Sequence, residues 1–166
     1  MTATPIQTLL LQLGSDDPDD VFDAITDIRK QRIRALGTAV IPFLAHPDSE
    51  LRGAAARAVG DLGLADQEPA LEDLASADPD PEVRQGAIYG WSSLRSASRS
   101  PHLMAVLERW LRDPDAPYAV RAAAFWGLLD VGGLPTDRWP APRAFTDIDR
   151  EVPWSLVEDV VAGRSA

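Results

Sequence analysis

Apolar residues recur at offsets 0, 3, 4, 7, 8 and 11 from Leu51, from Val83 and from Val120. Such a stripe is one face of a helix with 3.6 residues per turn, so each segment predicts an amphipathic helix with that face buried. The same punctuation precedes each one: Pro47-Asp48, Pro79-Asp80 and Pro114-Asp115. Proline forces the residue before it out of helical geometry, aspartate provides an N-cap, and acidic side chains in the first turn suit the positive end of the helix dipole. Offsets 3, 4 and 7 are Ala or Gly in all three copies, which lets neighbouring helices approach closely.

The three copies form a repeat. Arg52, Arg84 and Arg121 occupy equivalent positions 32 and 37 residues apart, a helical-hairpin period. Shorter apolar segments, residues 6–13, 38–45, 68–75 and 102–111, predict a partner helix for each copy. A more divergent N-terminal copy starts at Asp17-Pro18-Asp19. It predicts a helix through Val21, Ile25, Ile28 and Ile33 that closes at Leu36-Gly37, one turn longer than its siblings. The fold expected is all-α, an alpha-alpha superhelix: a short solenoid of about four helical hairpins over residues 1–133. Residues 134–166 break the pattern. Four prolines between Leu134 and Pro153 predict an irregular strap over the last repeat. A short capping helix follows, with Pro153 in its first turn and Leu156, Val157, Val160 and Val161 as its apolar stripe before Gly163.

The pattern Asp-Pro-Asp-x-x-Val-Arg-x-x-Ala-Ala-x-Ala-Leu-Gly, carried with variations by the three copies, resembles the HEAT-like repeat of the phycobilin-lyase type over about residues 4–133. The resemblance implies that the patterned helix is the second of each pair and lines a concave surface. It also implies that the repeated Arg52, Arg84 and Arg121 join polar contacts between adjacent repeats. On function it is almost silent, because scaffolds, lyase chaperones, glycosylases and inhibitors share such repeats. HEAT-like deoxyhypusine hydroxylases hold iron through repeated His-Glu pairs; here His46 and His102 are the only histidines, which excludes that activity.

Composition narrows the remaining classes. Cysteine is absent, which removes disulfides, thiolate zinc sites and a cysteine nucleophile. No apolar run reaches the roughly eighteen residues of a membrane helix, and the N-terminus lacks the pattern of a secretory signal, so a soluble, cytoplasmic protein is expected. A formal charge of −10 disfavours nucleic acid and anionic membranes and favours a basic partner. The cluster Asp16, Asp17, Asp19, Asp20, Asp23 and Asp27 lacks the Gly and terminal Glu of a calcium loop and reads as a solvated helix start. No metal or cofactor is expected. Arg29, Lys30, Arg32 and Arg34 wrap around their helix instead of sharing a face, which argues against a phosphate track.

The informative positions are those the repeat does not need. Offset 6 gives Arg57, Tyr89 and Trp126, offset 5 gives Ala56, Ile88 and Phe125, and offset 10 gives Asp61, Ser93 and Asp130, all off the apolar stripe. On a concave face Arg57, Tyr89 and Trp126 would form a row flanked by Gln85, Asp61, Ser93 and Asp130, with the residue types of interface hot spots. The alternative is that Tyr89 and Trp126 pack against the strap or a neighbouring helix. The function expected is a non-enzymatic binding module for a protein partner, a basic one, as an adaptor or immunity-type inhibitor. The competing expectation starts from Trp126 and Asp130, one turn apart on one face. It is similar to the Trp and Asp of HEAT-like alkylpurine DNA glycosylases, although those proteins carry basic grooves.

Overall fold

The computed structural model describes residues 4–141 and 145–164, so residues 142–144 of the strap and the chain ends fall outside it. The described residues are helical and contain no strand. Helices α1 (Pro5–Leu13), α5 (Glu68–Ala77) and α7 (Pro101–Arg112) are the first members of hairpins, and α2 (Pro18–Lys30), α4 (Ser49–Asp61), α6 (Pro81–Leu94) and α8 (Tyr118–Val131) are the second. The first member of the second hairpin is a single turn of α-helix, α3 (Gly37–Val40), that tightens into a 3-10 helix over Ile41–Ala45. Pro42 in that stretch lacks the amide a regular helix would use, so residues 38–45 do not form one continuous α-helix.

Asp17, Asp48 and Asp80 cap α2, α4 and α6, each accepting from the amide two residues on at 2.8–3.0 Å. In the last copy two extra residues move the turn. Asp113 accepts from the Asp115 amide at 3.0 Å, and Pro117, with no side-chain acceptor, stands at the N-cap of α8. The expected aspartate cap is therefore missing there.

The second helices form an inner layer in which α2 packs on α4, α4 on α6 and α6 on α8, each also backed by its own hairpin partner. The seam between α4 and α6 is backbone against backbone. A Cβ added at Gly60 would lie 2.0 Å from the Gly90 carbonyl oxygen, one at Gly90 would lie 2.2 Å from that of Ala56, and one at Gly86 would lie 2.7 Å from that of Gly53. Between α6 and α8 the same register places Ser92 Oγ 2.4 Å from where a Gly127 Cβ would stand. An inner helix is thus enclosed on three sides, and its buried arc is wider than the stripe at offsets 0 to 11 implies. Ala56, Ile88 and Phe125, expected off the apolar face, are fully buried, Phe125 against Phe145 of the C-terminal segment.

The N-terminal repeat corrects a second expectation. Its inner helix ends at Lys30, not at Leu36, and matches α4 in length. Arg32, fifteen residues after the capping Asp17, has a φ of 52°, and Gly63, fifteen after Asp48, has a φ of 70°. The turn is the same, but an arginine occupies the left-handed position where a sequence reader looks for glycine. Leu36 and Gly37 already belong to the next hairpin.

Beyond α8 the chain makes a 3-10 turn at Thr136–Arg138, a short helix α9 (Ile148–Glu151) and the helix α10 (Trp154–Val161), with Pro153 at its N-cap and not within its first turn. Val157 and Val160 of α10 are fully buried, whereas Val161 is exposed. The repeated arginines tie the layers together. Arg52 makes a fork to both oxygens of Asp78 at 2.9 and 3.0 Å and donates to the carbonyls of His46 and Pro47. Arg84 donates to the Ala75 carbonyl at 3.0 Å. Arg121, buried, donates to the Leu111 carbonyl and pairs with Asp149 of α9, so a carboxylate of the C-terminal segment takes the place that Asp78 has beneath Arg52. Burial pushes the Asp78 carboxyl up. Hydrogen bonds from Arg52 and the Asp80 amide, with the guanidinium charge, outweigh that and hold it below the usual carboxylate range.

Gly60→Ala forces the α4 and α6 backbones apart and is expected to cost about 3 kcal/mol in urea unfolding. Arg32→Gly relieves the left-handed turn and should gain about 0.5–1 kcal/mol in the same assay, while substituting Gly63 by Ala does the reverse.

Candidate functional site

Residues on α2, α4 and α6 bound an open trough of about 300 Å³. Gly53, Ala54 and Gly86 line it, because helices that must approach this closely carry no bulk there. Phe22 and Thr26 of α2 stand on one side and Arg57 and Gln85 on the other, with Glu50 and Glu82 among the lining residues. Phe22, 38% exposed, aligns with Gly53 of the next repeat and lies off the apolar stripe of its own helix. That mismatch was the available signal for it, and repeat reading passed over it because the copy is divergent.

Arg57 and Tyr89 come together as one unit. The guanidinium carbon of Arg57 lies 4.5 Å from the centre of the Tyr89 ring, a cation–π arrangement with the charged end exposed. Tyr89 is half-buried; burial pushes its phenol up and the Arg57 charge partly offsets this. Gln85, one turn before Tyr89, completes this side of the trough.

Trp126, the third member of the expected row, is elsewhere in character. It is 7% exposed and stacks on Trp139 and on Phe145, both with centroids 5.6 Å away, while Phe125 meets Trp126 and Phe145 edge-on. The Tyr118 hydroxyl donates to the Phe145 carbonyl, which pins the strap over α8. Where an aromatic of the last inner helix would face the groove, the C-terminal segment covers it. The Trp126–Asp130 pair of the glycosylase comparison is therefore not open to a base, and that reading loses its geometric basis.

The offset-10 residues form a second constellation at the C-terminal ends of the inner helices. Asp61 accepts from Ser93 at 2.8 Å and pairs with Arg29 at 3.2 Å, linking α2, α4 and α6. Asp130 accepts from Ser96 at 2.6 Å. Burial pushes the Asp130 carboxyl above the usual range and the Asp61 charge adds to this, against the opposing Ser96 hydrogen bond. Among the described residues no group of three or more His, Cys, Asp or Glu could hold a metal ion.

Stacked helical hairpins with an open trough along the inner helices define an α-solenoid scaffold. A family model for HEAT repeats matches residues 6–92, just over half of the chain, and the chain belongs to the HEAT-repeat family. No curated protein matches the sequence. HEAT repeats typically mediate protein interaction, and no described helix is long and apolar enough to cross a membrane. The match ends within α6, but α7 and α8 continue the same hairpin.

The Asp130 environment gives a pH prediction. A carboxyl with a raised folded pKa binds a proton more readily folded than unfolded, so its unfavourable contribution is full at neutral pH and fades as pH falls through the folded value. Asp130→Asn is therefore expected to raise Tm at pH 7. The gain should shrink towards the unfolded aspartate value near about 4, as calorimetry across that range would show.

Proposed function

We propose that the chain is a non-enzymatic binding module that takes a protein partner in the trough along α2, α4 and α6. The observation that carries this reading is the Arg57–Tyr89 pair beside a trough whose floor is nearly bare backbone and whose far wall exposes Phe22. Arginine and tyrosine are enriched among the residues that dominate interface energies, and a pair already stacked loses little freedom when a partner covers it. Glu50 and Glu82 in the trough and a net charge of −10 favour a basic partner, whose approach that field would accelerate. A soluble adaptor, or an immunity-type inhibitor that covers a cationic active surface in a bacterial cytoplasm, fits this chemistry.

The test uses a photo-reactive residue in place of Gln85 in the trough and, as control, in place of exposed Asp73 on α5. Cross-linking in the source cell should join one protein in stoichiometric yield from position 85 and not from position 73. The double variant Arg57→Ala with Tyr89→Ala should weaken that complex about 100-fold, the scale of losing two central interface residues. Equal yields from both positions, or an unchanged affinity in the double variant, would refute the reading.

A further inference from the structure

Three of the large apolar side chains exposed among the described residues, Ile6, Leu10 and Leu11, lie on the nine-residue helix α1. Ile6 and Leu10 stand one turn apart and Leu11 follows, so they form one patch, while Leu9 turns inward and is buried where α1 packs on α2. Among the described residues α1 is also the one helix of eight residues or more without a charged side chain. Its surroundings are the reverse. Asp16, Asp17, Asp19 and Asp20, all exposed, follow its C-terminal end, and Asp23 and Asp27 are exposed along α2. No acidic residue stands in the first turn of α1 and no basic residue in its last, so neither end of its dipole meets a compensating side chain of its own helix.

A contiguous apolar patch with a polar rim marks a contact surface. We propose that this one is an interface between two copies of the chain, α1 against α1 in an antiparallel, two-fold arrangement. Charge selects the occupant. A basic partner finds nothing to pair with on α1, and a chain of net charge −10 repels its own copy wherever acidic surfaces meet. The uncharged helix is where two copies approach without that repulsion. The antiparallel sense adds an attraction: the acidic turn at residues 16–20 of one copy lies beside the positive helix start of the other, and the two-fold axis makes this contact twice. A helix of nine residues is only about 13.5 Å long, so the contact falls at the small, transient end of specific interfaces. It is independent of the trough, which is lined by residues of α2, α4 and α6.

Sedimentation equilibrium of the whole chain, from about 5 µM to about 1 mM, reads the association directly. The expected result is a monomer–dimer equilibrium with a dissociation constant on the order of 100 µM. It should tighten about threefold between about 50 and about 500 mM NaCl, because salt screens the repulsion between copies. Capture of a basic partner in the trough weakens over the same range, so the two contacts are told apart. Leu11→Glu should weaken the dimer at least about tenfold and leave Tm unchanged, since that side chain is 72% exposed. Leu11→Cys places a single thiol in a chain that has no cysteine. A short bis-maleimide should join two chains through it, and should not through Asp73→Cys on α5. The proposal is overturned by a monomer throughout, by assembly beyond a dimer, by a dimer that weakens with salt or survives Leu11→Glu, or by equal cross-linking from positions 11 and 73.

Discussion

The contact on which the rest of the structure depends is the approach of the α4 and α6 backbones across Gly53, Ala56 and Gly60 on one side and Gly86 and Gly90 on the other. Helices that meet side chain to side chain pack 8–10 Å apart, and removing the side chains brings the axes towards the lower limit. The inner layer is therefore tight, and α4 and α6, each between two inner helices and its own hairpin partner, bury three flanks. Two consequences are functional. The fourth flank is the one left to carry Arg57, Tyr89 and the trough, and the trough has a floor of backbone because the seam requires small residues at its base.

The two ends of the array are treated differently. At the C-terminal end the strap continues the logic of the repeat without repeating its sequence: Asp149 gives Arg121 the carboxylate that Asp78 gives Arg52, and Phe145 and Trp139 cover Trp126. The groove over α8 is filled from within, which leaves the open surface to α2, α4 and α6. The N-terminal helix α1 has no charged residue and exposes Ile6, Leu10 and Leu11, so its outer face lacks the polar finish usual at the end of a solenoid.

The repeat and the hairpins were legible in the sequence, because each is a periodic signal written three times; the contact between adjacent repeats that the resemblance implies for the repeated arginines is made by Arg52, whereas Arg84 and Arg121 reach carbonyls of their own hairpins. Three things were not legible. The end of α2 was misplaced because Arg32 adopts a backbone conformation that sequence reading reserves for glycine. Offset 5 was assigned to the exposed side because a single-face pattern describes a helix packed on one neighbour, and inner helices of a stack have three. The fate of Trp126 depends on Phe145, Trp139 and Asp149, and no repeat predicts contacts made by an unrepeated strap. Of the expected site, Arg57 and Gln85 line the trough, and Tyr89 stacks against Arg57 beside it. Asp61, Ser93 and Asp130 come together at a different cleft, so one expected groove resolves into two chemically distinct surfaces.

The inner surface is open from α2 to α6 and closed over α8. Hydroxyl-radical footprinting read by mass spectrometry measures this directly, because aromatic oxidation tracks solvent access. Phe22 and Tyr89 should oxidise rapidly while Phe125 and Trp126 stay protected, despite the higher intrinsic reactivity of tryptophan. Oxidation of Trp126 as fast as that of Tyr89 would show that the strap does not close the groove over α8.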